Sequence, residues 1–261
     1  MKKTISLLIM LYSAWVSADV MLYTTDSSIL GLENIHGQDS FTSTLYGGSN
    51  DSGATSPADC VVRYKLVKKG SRYMAESLLM PKNVSGNSSS DNGEISFEID
   101  ENRVVVLSDY SPDECPLNSN FSGEYMLVGK KDARYKSEFD SLIKINHKNA
   151  LKLFQKSRVL DACNSLTPYI QEATKTGYYN AGIFNDYGYF LQQAGLNVEA
   201  VDILNLVIKK SPSRKVVYLN VADAYWGMNE KNLAVKNYMK YRSLMTGNED
   251  NIPSYILDRI K

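Results

Sequence analysis

The second half of this chain repeats itself at an interval of 34 residues, and few architectures tolerate that. Phe184, Tyr187, Gly188, Leu191, Ala200, Leu204 and Val207 recur, class for class, as Tyr218, Val221, Ala222, Tyr225, Ala234, Tyr238 and Tyr241. Large apolar residues alternate with small ones at helical spacing, and Gly195 and the Gly227–Asn229 stretch fall between the blocks as turns. Small residues let two helices approach, while the large ones fill the groove between them. A weaker copy precedes these at Ala150, Leu153, Ala162, Leu166 and Tyr169, displaced by about 38 residues because of extra residues near 175–179. Each unit is therefore expected to be a helix pair that buries its apolar face only by stacking on its neighbours.

The first half follows a different pattern. Cys60 to Val67 and Ser71 to Met80 read as two strands around a Gly70 turn. Glu94 to Ile99 alternates strictly, Asp100 to Asn102 turns, and Arg103 to Leu107 returns; Phe121 to Val128 supplies a further strand. Five short strands with polar turns predict a small antiparallel β domain, either a sandwich or a partly open barrel. Thr42 to Ala58, rich in Gly, Ser and Asn, reads as a loop. The expected fold class is thus α+β: a β domain over 19–140, then α-α superhelical helix pairs over 141–261. Charge divides at the same place. Residues 19–140 carry 11 Lys+Arg against 19 Asp+Glu, and residues 141–261 carry 16 against 10.

The repeated positions resemble those of the tetratricopeptide repeat family over about residues 143–246, with Ile252 to Ile260 as a short capping helix. The departures are Phe184 and Tyr218 at the family's Trp-like position and the missing final Pro of the last unit. The resemblance implies a concave groove, lined by the first helix of each pair, that receives a peptide or a helix. Carried over by position, it puts Asn185, Tyr189, Gln192 and Gln193 on the groove in the middle unit and Leu219, Asn220, Asp223 and Trp226 in the last. Such amides can pair with peptide groups, and Tyr and Trp offer large contact area at low entropic cost. These positions are mostly neutral, unlike the Lys and Arg of the family's carboxylate-clamp form, so a terminal carboxylate is not the expected target.

The N-terminus carries Lys2 and Lys3, an apolar run from Ile5 to Val16, and small residues at Val16 to Ala18, the pattern of a secretory signal over 1–18 cleaved after Ala18. The run is shorter than the roughly 20 residues that span a bilayer, and no later stretch is long enough, so the mature chain is expected to be periplasmic without a membrane span. In that oxidising compartment Cys60 and Cys115, which share the β domain, are expected to pair, leaving Cys163 as a buried thiol in an apolar helical context.

Catalysis has little to stand on. The two His, His36 and His147, sit in no metal or nucleophile pattern, and no Gly-rich phosphate loop or Gly-x-Ser-x-Gly elbow is present. Asp109, Asp113 and Glu114 read as a solvated turn. With Lys+Arg 29 and Asp+Glu 29, the chain has no overall charge to recruit nucleic acid. The chain is expected to be neither an enzyme nor a cofactor or metal binder. It is expected to be a periplasmic scaffold or adaptor for a protein or peptide. The alternative is an inhibitor or immunity protein that blocks a cell-wall-degrading enzyme through an exposed loop such as 49–53 or 87–91.

Overall fold

The computed structural model describes residues 18–35, 40–47, 49–50, 60–78, 94–108, 115 and 119–261. All but the last residue of the expected signal, His36, the Asp109–Glu114 cluster and the 87–91 loop lie outside the described residues.

The β domain is neither a sandwich nor a partly open barrel, which corrects the sequence expectation: eight antiparallel strands close on themselves. In chain order these are β1 (Ala18–Thr24), β2 (Ser28–Ile35), β3 (Ser40–Gly47), β5 (Cys60–Lys69), β6 (Arg72–Ser77), β7 (Ile95–Ile99), β8 (Arg103–Ser108) and β10 (Gly123–Leu127). Two short strands, β4 (Ser49–Asn50) and β9 (Ser119–Asn120), pair separately. Each barrel strand pairs with its neighbour in the chain, and the meander closes where Tyr23 of β1 faces Leu127 of β10. Closure removes both sheet edges, which a five-stranded sheet would leave exposed.

The three strands that complete the barrel are β1, β2 and β3, and each is buried on both faces. One face fills the barrel, where Leu30, Leu32, Leu45, Phe97 and Val106 are fully enclosed. An eight-stranded barrel is just wide enough to be filled this way. The other face lies under helices, and Val20, Leu22 and Ile29 join the helical core. A doubly buried strand does not alternate, so the period-two signal is missing. Residues 42–47, expected as loop, belong to β3 in register with β5 from Ser40 opposite Val67 to Gly47 opposite Cys60. Cys60 and Cys115 form a disulfide, and Cys163 is a buried free thiol.

The helical half comprises α1 (Tyr135–Gln155), α2 (Val159–Thr176), α3 (Ala181–Gln193), α4 (Asn197–Lys210), α5 (Lys215–Gly227), α6 (Lys231–Ser243) and α7 (Ser254–Arg259). The first helix starts at Tyr135, inside the stretch assigned from sequence to the β domain. Its apolar residues Tyr135, Phe139, Leu142 and Ile143 are all buried, so helical spacing extends upstream of 141. No helix among the described residues is long and apolar enough to cross a membrane.

The 34-residue interval maps onto the helices: α5 and α6 start 34 residues after α3 and α4. Asn180 caps α3 by accepting from the Gly182 and Ile183 amides at 3.0 and 3.2 Å. Gly195 and Asn229, also 34 apart, take the left-handed conformation (φ +78° and +61°) in the turns within successive pairs. At Gly188 a Cβ would lie 2.6 Å from the Leu204 side chain, so α3 and α4 approach closely there and a larger residue needs Leu204 to shift. Ala200, Ala222 and Ala234, at other small positions of the repeat, are wholly buried.

Candidate functional site

The first helices of the three pairs lie side by side, α1 against α3 and α3 against α5. Their shared face carries a polar ladder. His147 Nε2 of α1 lies 3.0 Å from Asp186 Oδ2 of α3. Asp186 Oδ1 accepts from Asn185 Nδ2 at 3.3 Å, and Asn185 Oδ1 accepts from Asn220 Nδ2 of α5 at 3.3 Å. Asn185 and Asn220 are 4% and 6% exposed, so these two amides mainly tie neighbouring pairs together.

The last unit is engaged by the chain's own C-terminus. Asp223 accepts from Tyr238 Oη at 2.6 Å, from Tyr255 Oη at 3.2 Å and from Arg259 Nη1 at 3.0 Å. Arg259 also donates to Tyr238 Oη, and its guanidinium stacks 4.4 Å from the Trp226 ring. Burial, with the Asp223 carboxylate beside it, pushes the Tyr255 phenol up to about 12, and the same causes raise Tyr238. Helix α7 thus covers Asp223 and Trp226 with the Arg259 cation and the Tyr255 phenol, while α6 adds the Tyr238 phenol.

The other expected groove residues are not held this way. Tyr189 is half-buried, with its ring 5.4 Å from Phe154 and 6.5 Å from Phe190. Gln193 is exposed and donates to Gln192 Oε1 at 2.7 Å. Leu219 is half-buried against the helical core. The structure therefore leaves Tyr189, Gln192, Gln193 and Leu219 as the reachable members of the set. Sequence reasoning missed His147, Asp186, Tyr255 and Arg259 as parts of this face. Asp186 stands next to Asn185, and Tyr255 and Arg259 lie inside the segment expected as a capping helix, but no spacing rule reports a pairing across 39 residues such as His147–Asp186.

A second polar cluster sits where the barrel meets the helices. On adjacent strands, β2, β3 and β5 turn Glu33, Thr44 and Arg63 toward α1 and α2. Arg63 Nη2 reaches Glu33 Oε1 at 2.9 Å and Oε2 at 3.2 Å, with side-chain exposures of 8% and 5%. Tyr169 Oη of α2 donates to Glu33 Oε1 at 2.5 Å, and Thr44 Oγ1 bridges to Asn146 Oδ1 of α1 at 3.2 Å. Burial pushes the Glu33 carboxyl above the usual carboxylate range, against the pull of Arg63 and Tyr169, and raises Tyr169 well above that of a free phenol. Gly31, one register step away on β2, sits under Leu142 of α1, where a Cβ would come within 2.8 Å. Nearer the chain's connector, the buried Glu172 accepts from Tyr135 Oη at 2.8 Å and pairs with Lys130 at 2.7 Å.

None of these clusters is arranged for metal ligation: among the described residues no three His, Cys, Asp or Glu side chains converge. The fold and face together define a closed meander barrel, with a buried ion pair on its outer face hydrogen-bonded to the first of the stacked helix pairs. In comparison with known proteins, no family model matches the chain and no curated sequence matches it significantly.

Proposed function

We propose that this chain is an exported, periplasmic scaffold for a protein partner, and that its helix pairs belong with the tetratricopeptide repeats they resemble in sequence. The partner segment lies along the face shared by α1, α3 and α5, and the barrel holds the first pair rigid. One observation carries this reading: the first helices lie side by side, and Tyr189, Gln192, Gln193 and Leu219 remain reachable among them. An aromatic anchor flanked by amides suits an extended peptide, whose backbone groups need partners and whose side chains need contact area. The Cys60–Cys115 bridge is in keeping with an oxidising compartment.

The test is a photoreactive amino acid at Tyr189, activated in intact cells, with a control at exposed Lys209 of α4. The expected result is a discrete protein adduct from position 189 alone. Equal adducts at both positions, or none at 189, would overturn the reading. Strong inhibition of a cell-wall hydrolase by the purified chain, unaffected by Tyr189→Ala, would move the inhibitor class ahead.

A further inference from the structure

On the side of α1 away from α3, a cleft of about 650 Å³ opens between that helix and strands β3 and β5. On a wheel of 100° per residue, its helical lining (Ile145, Lys148, Lys152 and Lys156 among it) is opposite His147 and Phe154, so the cleft is separate from the face proposed for a partner. Its walls bring together Arg63, Lys148, Lys152, Lys156 and Arg158, and no acidic residue lines it among the described residues. Arg158 pairs with Asp161 at 2.7 Å, whereas the three lysines make no ion pair among the described residues. They stand four residues apart, roughly 6 Å per step along the helix, and repel one another. A helix dipole welcomes cations in the last turn, which accounts for Lys152 and Lys156. It does not account for Lys148, about two turns from the end of α1, and the further cation in the wall is the Arg63 guanidinium of the barrel, which is paired with Glu33 through Nη2.

That guanidinium supplies the second observation. Arg63 lines the cleft at 7% exposure and is held by Glu33 through Nη2, yet its buried Nε has no hydrogen-bond partner among the described residues. A buried donor left unsatisfied beside unpaired cations is a place where an anion restores what folding leaves out. Val61, Ile145 and Leu153 add apolar surface to the same cleft.

We propose that this cleft binds an organic phosphate, with the phosphate against Arg63, Lys148 and Lys152 and the apolar body of the ligand on Val61, Ile145 and Leu153. The cations converge from a strand, a helix and the turn after it. A tetrahedral group with three acceptor oxygens and nearly two charges meets donors from several directions, whereas a planar carboxylate is satisfied by one fork. The volume lies within the range of about 300–1,000 Å³ typical of small-molecule sites, so the phosphate is borne on a larger body. A soluble phosphate ester and a phospholipid headgroup share this chemistry.

The test titrates the purified chain, disulfide intact, with phenyl phosphate and with benzoate by calorimetry. In parallel the chain is floated with phosphatidylcholine vesicles that contain or lack phosphatidylglycerol. Phenyl phosphate is expected to bind about tenfold tighter than benzoate, and more weakly as salt is raised. Lys148→Ser with Lys152→Ser should weaken it by about tenfold, while Lys209→Ser with Lys236→Ser, far from the cleft, should not. Circular dichroism verifies that both double variants fold. Flotation dependent on phosphatidylglycerol and lost in the cleft variant, without phenyl phosphate binding, supports the site and identifies its source as a lipid headgroup. Benzoate binding as tightly as phenyl phosphate, binding indifferent to the cleft variant, or no binding in either arm overturns the proposal.

Discussion

Tyr169 Oη donates a 2.5 Å hydrogen bond to Glu33 Oε1 across 136 residues of sequence, joining helix α2 to barrel strand β2. Glu33 also holds Arg63 of β5, so one carboxylate ties two barrel strands to the first helix pair. Burying these charges is costly, and half a pair is worse than none. Glu33→Ala leaves Arg63 buried without its counter-charge and should cost about 3–5 kcal/mol in urea unfolding. Tyr169→Phe removes one bond to a charged acceptor and should cost about 1–3 kcal/mol. Glu33→Met with Arg63→Met should recover most of the loss; a double variant as unstable as Glu33→Ala would show that the pair itself stabilises the junction.

Gly188 marks the closest approach of α3 and α4. Because a Cβ there would meet Leu204 at 2.6 Å, Gly188→Ala must push the helices apart or force Leu204 from its rotamer. The expected cost is about 1–3 kcal/mol even though alanine is the better helix former. Adding Leu204→Ala frees the space, so thermal melts of the pair should show coupling rather than additivity. Full additivity would mean that the contact does not limit the packing.

Sequence period reported some elements and was silent on others for one physical reason. The β5–β6 hairpin around Gly70 and the β7–β8 turn at Asp100–Asn102 were readable from their turn residues and from polar residues such as Lys65, Lys69, Glu98 and Arg103 on the outer face, although burial itself alternates cleanly in β8 and not in β5 or β7. The helix pairs were readable because Gly188, Ala200, Ala222 and Ala234 recur where helices touch. Strands β1 to β3 were missed because the helices bury their outer face, which turns Val20 to Leu22 into a continuous apolar run and permits Ser43 and Thr44 in a buried strand. Of the candidate site, the expected residues on α3 and α5 came from the family resemblance, and the structure places them on the first helices of successive pairs. The pairing of Asn185 with Asn220, and the cover that Tyr255 and Arg259 place over Asp223, depend on tertiary contact that no periodicity encodes.

The disulfide closes a separation of 55 residues between β5 and the segment before β9. By the loop-entropy estimate its removal should lower stability by about 4 kcal/mol. Cys60→Ser with Cys115→Ser should shift the unfolding midpoint by a corresponding amount, while Cys163→Ser should shift it less. An unchanged midpoint in the first variant would place the bridge outside the cooperative unit.

Buried phenols and a buried thiol set an alkaline limit. Burial pushes Tyr125 up to about 12 and Cys163 up to about 11, from ordinary values of 10.0 and 9.0. Each group is protonated in the fold at pH values where the unfolded chain has begun to ionise. A raised folded value stabilises fully below the unfolded value and is lost as pH rises through the folded one. Stability should therefore hold to about pH 9 and fall between there and about pH 12. Tyrosinate absorbance recorded alongside urea midpoints checks this: buried phenols should ionise together with unfolding. Ionisation of every tyrosine near the free value, with the fold intact, would contradict the enclosure.

Helix α7 rests on the last pair through a few polar contacts, and these predict how it can be released. Arg259 touches Asp223 at 3.0 Å and the Trp226 ring at 4.4 Å, and both Arg259 and Asp223 keep 23–28% of their side chains exposed. Partial exposure screens the ion pair, so most of the interaction is stacking, worth about 0.5–2 kcal/mol. Arg259→Ala should lower stability by about that amount and shift Trp226 emission to the red. The shift is readable because the sequence contains only one other Trp, Trp15. Ending the chain before Ser254 should give a larger red shift and expose Asp223 beside Tyr189, Gln193 and Leu219. If α7 covers part of the binding face, the shortened chain should take up the protein partner trapped at Tyr189 more tightly than the full chain does. Equal affinity, with the emission shift present, would confine α7 to capping the last helix pair and leave the partner face to α1 and α3.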